Sequence, residues 1–260
     1  MGAGKTTTII NMAKEFKEKE SNSNKRLLIL TYYLTEIKRI CDETGFKAPP
    51  KGMKRQYIKK MIDAGQNIVA SQALFSMFDF ETLELFKGRY SYNLIMDEPP
   101  QVISLLVGSY RKRNEEEKSI IEQFSTNDYK MMIKDNIINI DNDKTRRITW
   151  NSKTDYSGIY NELRRHMEIS DLYSYKNDKT IIAATSMNVW HCFENITVCG
   201  YLIRNSIFDN YLDWYGIEKV WYHIENGTFK EGYKFEKPKN LNNIVVYAGN
   251  FAGESLSRYW

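Results

Sequence analysis

Two short groups of residues in this chain have the types and the spacing of a nucleotide-binding site. The first is in MGAGKTTTII, where Gly4, Lys5 and Thr6 complete the pattern G-x-x-x-x-G-K-[ST]. Glycine lets the backbone curl so that N–H groups point at phosphate oxygens, and the following helix adds the positive end of its dipole. The lysine of such a loop reaches the β- and γ-phosphates, and the threonine hydroxyl coordinates Mg²⁺. We therefore expect ATP to be bound by Gly2, Ala3, Gly4, Lys5, Thr6 and Thr7.

The second group is a pair of acids, Asp97 and Glu98, at the end of the apolar run in NLIMDEPP. An acid at the end of a strand can hold the shell of a Mg²⁺ ion, and a neighbouring glutamate can orient and deprotonate the attacking water. A strand that ends in a polar turn is common, but the combination with an upstream glycine-lysine-threonine helix start is not. We therefore expect Lys5 and Glu98 to be catalytic, and Thr6 and Asp97 to hold Mg²⁺.

The hydrophobic pattern predicts a scaffold that brings these residues together. Helical spacing predicts a helix from Thr6 to Glu20, and short apolar runs bounded by turn residues predict strands. The predicted strands are Arg26–Thr31, Asn67–Ala70 and a run that ends at Asp97, with helices opening at Thr35, over Gln56–Ala64 and around Thr82–Phe86. Strands that alternate with helices over short connections indicate an α/β fold with a mostly parallel sheet.

The middle of the chain has a different pattern. The pattern predicts a helix over Gln101–Lys134. It then predicts a hairpin in NIINIDNDKTRRITW, a helix near Ser157–Glu168 and a second hairpin in DLYSYKNDKTIIAAT. No internal repeat and no low-complexity linker marks a boundary between domains. Further along, the pattern predicts helices in MNVWHCFE and NSIFDNYLDWYG. It predicts strands in NITVCGYLI, IEKVWYHI and NNIVVYAGN.

Composition narrows the class of protein. Hydrophobic residues make up 42% of the 260-residue chain, and no stretch is as long and apolar as a membrane span. Three cysteines without metal-like spacing fit a reduced, cytoplasmic protein, and the adjacent His191 and Cys192 lack the partners that a metal site needs. The net charge of +4 is mild, but basic residues cluster, the first cluster being Lys51, Lys54, Arg55, Lys59 and Lys60. Such clusters can neutralise phosphates of nucleic acid, although each is also compatible with a solvated surface.

These motifs, in this order, resemble a known family. Gly2–Thr6 resembles the Walker A motif, and Leu94–Glu98 resembles a Walker B motif of the D-E-x-x type found in superfamily-two helicases. Three weaker segments, LLILTYYLTEIKRI, NIVASQALF and ITVCGYLI, resemble the helicase segments that follow the later strands. The chain from Gly2 to about Ile224 thus resembles the DEAD-like helicases of the phage and prophage replication type.

The resemblance implies a fold, partners and further site residues. It implies a three-layer P-loop NTPase domain of the RecA-like type, and this would be the first motor domain of a helicase. By the same resemblance, residues 1–260 form a single domain, and residues 101–180 are an insertion within it. It also implies single- or double-stranded nucleic acid as partner, with Thr31, Ser71 and Gln72 near the nucleic-acid backbone. Helicases of this class carry arginine fingers on a second RecA-like domain, so that domain or another subunit is an implied partner.

The sequence departs from the family in two places. The first glycine of the Walker A pattern and the strand before it are absent, and Cys199-Gly200-Tyr201 replaces the usual Ser-Ala-Thr. We expect the absent strand to lie next to the Walker B strand, which would leave one side of Leu94–Met96 unpaired. On that expectation residues 1–260 bind ATP poorly and unfold easily, and an upstream extension of about ten residues, one strand plus the loop glycine, restores both properties.

Other functions stay open at this point. A small-molecule kinase also uses G-x-G-K-T, although kinases of that type usually lack a paired Asp-Glu at the strand end. A DNA-packaging ATPase carries the same two motifs. The absent first strand also fits an inactive, truncated fragment.

Overall fold

The computed structural model describes residues 4–50, 52, 54–106, 126–142, 144–151, 160–175, 180–201, 203–225 and 228–234. The helices are α1 (Lys5–Lys19), α2 (Leu34–Thr44), α3 (Lys54–Asp63), α4 (Gln72–Phe75), α5 (Phe80–Leu85), α6 (Thr126–Lys134), α7 (Asn161–Ile169), α8 (Met187–Trp190) and α9 (Ile207–Trp214). The strands are β1 (Lys25–Thr31), β2 (Ile68–Ser71), β3 (Ser91–Asp97), β4 (Ile103–Leu105), β5 (Ile138–Ile140), β6 (Arg147–Trp150), β7 (Ser170–Tyr175), β8 (Thr180–Thr185), β9 (Ile196–Cys199), β10 (Tyr222–Glu225) and β11 (Thr228–Glu231).

The first sheet contains four parallel strands in the order β2-β1-β3-β9. Its central strands are apolar runs buried on both faces, as expected for a parallel sheet between helices. Leu28 and Leu30 pack in one buried cluster with residues of α3 and α4. Leu27 and Ile29 alternate with them and are equally buried, so they point to the opposite face. The predicted α/β fold with a mostly parallel sheet is therefore confirmed.

The Walker B strand has partners on both sides. β3 pairs with β1 through Leu28↔Leu94 and with β9 through Leu94↔Ile196 and Asp97↔Cys199. The expectation that Leu94–Met96 has one unpaired side is therefore wrong. Within the described residues the edge strands of this sheet are β2 and β9, and β9 lies beside β3 because the chain returns there from the second sheet.

The second sheet is antiparallel, with strand order β4-β8-β7-β6-β5, and lies between β3 and β9 in the sequence. It has its own buried cluster, which includes Tyr129 of α6 and Leu163 of α7. Both predicted hairpins are confirmed as β5–β6 and β7–β8. The helix predicted for Gln101–Lys134 is confirmed only at its end, as α6. Its start is wrong because residues 103–105 pair with β8, and residues 107–125 lie outside the described part of the chain.

The chain divides into two compact units, Met1–Glu218 and Lys219–Trp260. Both sheets above belong to the first unit. The second unit contains the antiparallel pair β10–β11, and Trp221 stacks edge-on against Tyr233. The strand predicted in NNIVVYAGN lies outside the described residues. In the part of the chain that is described, no helix is long and apolar enough to cross a membrane.

Candidate nucleotide site

Among the described residues, no side chain caps the start of the first helix. Gly4 precedes α1 with a φ of 72°, a left-handed conformation that glycine adopts without strain. The Gly4 carbonyl accepts hydrogen bonds from the Thr8 N–H at 2.9 Å and from the Thr8 hydroxyl at 3.0 Å. The first turn contains no acidic residue of its own, so no side chain of the turn itself offsets the positive end of its dipole. Gly2 and Ala3 of the predicted loop lie outside the described residues.

The structure brings the two predicted motifs together. The Thr6 hydroxyl donates to Oδ2 of Asp97 at 3.4 Å, and the Lys5 ammonium forms an ion pair with Glu98. These contacts join the start of α1 to the end of β3 across more than ninety residues of sequence. A side chain at the first turn of a helix and a side chain at the carboxyl end of a parallel strand are positioned to meet at one sheet edge.

The two adjacent acids have different surroundings. Asp97 is only 8% exposed, and this burial raises the pKa of its carboxyl group. The Lys5 ammonium opposes that increase, and the Glu98 carboxylate adds to it. The Glu98 side chain is 38% exposed, so it has access to water that Asp97 lacks. The arrangement therefore combines a buried acid beside a hydroxyl with a more accessible acid beside an ammonium.

The donor set fits a Mg²⁺ ion. Thr6 and Asp97 present hard oxygen atoms to the same point, and a divalent cation would offset the buried Asp97 charge. Mg²⁺ in phosphate sites takes one or two protein ligands and completes its shell with phosphate and water. Accordingly, no group of three or more His, Cys, Asp or Glu that could hold a metal occurs among the described residues. Cys192 is buried and its thiol donates to the Asn188 carbonyl, which suits a structural residue.

Three residues near the site were not predicted from the sequence. Arg39 of α2 donates through Nη2 to the Thr7 hydroxyl at 3.3 Å, and Glu36 of the same helix raises the pKa of Asp97 through its charge. Burial raises the pKa of the Cys199 thiol to about 12, so this thiol stays protonated next to the acids. The sequence does contain a signal for Glu36 and Arg39, because both lie on the helix that follows β1. The carboxyl ends of parallel strands share one edge of the sheet, so a helix that starts after β1 starts near the acids at the end of β3.

The residues predicted to contact nucleic acid are turned inward. Thr31 is fully buried, and its hydroxyl has no hydrogen-bond partner in the part of the chain that the structure describes. The Ser71 hydroxyl accepts from the Leu74 N–H at 3.1 Å and caps α4. The Gln72 side chain is 6% exposed and donates to the Glu98 carbonyl at 2.7 Å. All three lie at the carboxyl edge of the sheet, but their contact with nucleic acid stays a prediction.

A basic pocket opens beside Ser71. It has a volume of about 470 Å³ and is lined by Gly52, Lys54, Arg55, Gln56, Ser71, Ala73, Leu74 and Met77. Lys54 and Arg55 form no ion pair within the described residues, so their charges are not neutralised there. The pocket therefore joins part of the first basic cluster to one of the residues predicted to lie near nucleic acid.

Comparisons with known proteins give limited matches. Residues 121–190 match the family model of the YonV middle domain, which is well under half of the chain and lies in the region of the second sheet. No curated protein matches the chain. Among solved structures, the crystal structure of the Pyrococcus furiosus Hef helicase domain is similar at 19% identity and a TM-score of 0.27. That match covers 37% of this chain and 20% of the Hef chain, and such a TM-score does not establish a shared fold.

Proposed function

We propose that this chain is a Mg²⁺-dependent ATPase and the first RecA-like motor domain of a helicase or translocase. The contact of Lys5 and Thr6 with Glu98 and Asp97 supports this proposal more than any other observation. It joins the helix start that we propose to bind phosphate to a pair of acids, and such a combination suits phosphoryl transfer to water. The paired acid also favours an ATPase over a small-molecule kinase.

Each residue has a defined role in this proposal. Lys5 and the free N–H groups of the first turn hold the phosphates, and Thr6 with Asp97 holds Mg²⁺. When bound, Mg²⁺ neutralises charge that develops on the transferred phosphoryl group. Lys5 exchanges its Glu98 partner for phosphate oxygens, which releases the Glu98 carboxylate. That carboxylate then orients a water molecule and accepts its proton.

Nucleic acid is the proposed partner of the motor. The unneutralised charges of Lys54 and Arg55 beside Ser71 suit phosphodiester groups, because each contact releases a counterion. A second RecA-like domain or another subunit would supply an arginine to the site. Work of this kind in phage or mobile-element replication would take place in the cytoplasm.

Calorimetry with Mg-ATP tests the nucleotide site. We expect the parent chain to bind Mg-ATP and Lys5→Ala to bind it at least about tenfold more weakly, since a charge-assisted contact worth about 1.5–3 kcal/mol is lost. Lys14→Ala is the matched control, because Lys14 lies on the same helix and pairs with Glu43, away from the two acids. Equal affinities of the parent and Lys5→Ala would contradict the proposed phosphate contact.

Filter binding tests the nucleic-acid partner. The double variant of Lys54→Ala and Arg55→Ala should bind single-stranded DNA more weakly, with a salt slope smaller by about 0.7 per lost phosphate contact. The control removes two charges elsewhere, Lys14→Ala with Lys19→Ala. Absence of any affinity of the parent for DNA or RNA at low salt would favour the kinase alternative.

A further inference from the structure

Gln72 is bonded to the backbone of both candidate acids. Its side-chain Nε2 donates to the Glu98 carbonyl at 2.7 Å and to the Asp97 carbonyl at 3.4 Å. Both partners are carbonyl oxygens, which accept and cannot donate, so the amide nitrogen must be the atom that faces them. With 6% of its surface exposed, Gln72 makes these bonds away from competing water.

The backbone that Gln72 holds has an unusual conformation. Glu98 has a φ of 81°, in the left-handed region that residues with a side chain rarely adopt. The Glu98 N–H donates to the Cys199 carbonyl of β9 at 2.6 Å. The backbone of Glu98 is thus held on one side by β9 and on the other by Gln72. Because the Cα–Cβ bond follows the backbone, these two bonds set the direction in which the Glu98 side chain leaves the backbone.

Gln72 is itself held in a fixed place. It is the first residue of α4, and the Ser71 side chain caps this helix through the Leu74 N–H. The Gln72 carbonyl accepts from the Ser76 N–H at 2.9 Å, and Leu74 is buried in the core of the first sheet. The amide therefore reaches the acids from a rigid part of the domain rather than from a mobile loop.

We propose that Gln72 is a positioning residue that directs the Glu98 carboxylate toward the attacking water. It acts through the backbone of Glu98 and touches no substrate atom, so it is not a catalytic residue. This role rests on the proposed ATPase function and differs from the nucleic-acid contact predicted for the same residue. Loss of the Gln72 amide leaves the proposed phosphate contacts of Lys5 in place, but the Glu98 carboxylate is no longer directed toward the water.

The first experiment compares two glutamines in the full chain. Gln72→Met removes the donor at similar volume, and Gln101→Met makes the same change at an exposed residue of the following loop, whose amide bonds only to the Ile103 carbonyl. Gln72→Met should lower the ATP turnover number about ten- to hundredfold, the range that a misplaced group costs. Its affinity for Mg-ATP should stay within about twofold of the parent, because the substitution removes an interaction that matters only in the transition state. Gln101→Met should match the parent in both.

A second variant gives a readout in pH. Gln72→Glu keeps size and polarity, but its ionised carboxylate cannot donate to the two carbonyls and regains a donor only when protonated. The ratio of its turnover to that of the parent should therefore rise as the pH is lowered from neutral. Hydrogen exchange of the Glu98 amide should be faster in Gln72→Met than in Gln101→Met, and this measurement needs no ATP.

The outcomes separate this inference from the proposed function. A parent chain without turnover would contradict the ATPase function, and with it any role of Gln72 in hydrolysis. An active parent whose turnover is unchanged in Gln72→Met would overturn the positioning role alone. Faster amide exchange without a loss of turnover would also overturn it, because Gln72 would then be merely structural.

Discussion

Asp97 and Glu98 are neighbours in sequence, yet the fold gives them opposite surroundings. Asp97 is buried against Thr6, while Glu98 is accessible and paired with Lys5. Burial opposes charge on Asp97, so the site holds an acid whose ionised form is costly without a cation beside it. In the proposed function, this difference suits the two carboxylates to different tasks, with metal binding at Asp97 and water activation at Glu98.

Asp97 carries a buried charge, so we predict that replacing it with a neutral residue stabilises the protein and that the gain depends on pH. Because the folded-state pKa of Asp97 is raised above 3.8, the stability it contributes is full below that pH and is lost as the pH rises through the folded-state pKa. Asp97→Asn should therefore melt higher than the parent at pH 7, by roughly 2–4 °C for each kcal/mol, and the gain should shrink in acid. Thermal unfolding of both chains across pH measures it.

The control for this prediction is Asp63→Asn, at an exposed residue at the end of α3. It should melt like the parent at every pH. A gain for Asp97→Asn that is absent at neutral pH, or that grows in acid, would contradict the raised pKa.

Thr31 predicts a second effect at the scale of one residue. Its hydroxyl is buried without a partner, which costs about 1–3 kcal/mol. Thr31→Val should therefore raise the free energy of unfolding by about 1 kcal/mol, as measured by urea unfolding. Thr44→Val is the matched control and should destabilise, since the buried Thr44 hydroxyl donates to the Ile40 carbonyl and accepts from the Phe46 N–H. Weaker binding of nucleic acid by Thr31→Val at unchanged stability would instead support the predicted backbone contact.

At the scale of elements, helix α9 is tied to the second sheet through one acid. The Tyr215 hydroxyl, just after α9, donates to Oδ2 of Asp171 in β7 at 2.6 Å, and Arg147 of β6 donates to the other oxygen at 2.6 Å. Burial and the bond to Asp171 raise the pKa of Tyr215 far above its ordinary value, so the hydroxyl remains a donor.

Removal of this tie should destabilise the first unit. Tyr215→Phe keeps the ring and loses a hydrogen bond to a charged acceptor, so we expect a loss of about 1.5–3 kcal/mol in urea unfolding. Tyr33→Phe removes a hydroxyl from a ring that is 64% exposed and should cost nothing measurable. Equal stabilities of the two variants would show that the Asp171 contact does not connect α9 to the sheet.

The elements also show what the sequence could predict. The apolar runs around Leu28 and Leu94 specify their strands, because a parallel strand is buried on both faces and needs no long-range information to be recognised. The start of β4 was missed, because exposed residues 103–105 become a strand only by pairing with β8. The neighbour of β3 was misplaced for the same reason, since strand order is decided by contacts between distant segments.

The contacts of the candidate site likewise divide into those that the sequence could predict and those that it could not. Lys5, Thr6, Asp97 and Glu98 were predicted from local patterns, and the fold brings them into contact. The bonds from Gln72 to the backbone of the acids could not be predicted, because they depend on the left-handed Glu98 and on how α4 packs against β1 and β2. Sequence motifs identify groups that do chemistry, while the groups that aim them follow from tertiary structure.

At the scale of the whole molecule, the site stands where the first sheet leads into the second. β3 ends at Asp97, β4 begins at Ile103, and the chain returns through β8 to β9, whose Cys199 carbonyl accepts from Glu98. The first connection between the sheets thus begins at the acids, and the strand that follows the second connection ends beside them.

The central claim is that Glu98 activates water for ATP hydrolysis, and Glu98→Gln tests it most directly. Phosphate release from Mg-ATP should be measured for the parent and the variant, with binding followed by calorimetry on the same samples. We expect Glu98→Gln to bind Mg-ATP at least as tightly as the parent and to lose turnover by about 100-fold or more, because only the general base is removed. Hydrolysis by Glu98→Gln at the parent rate would contradict the account.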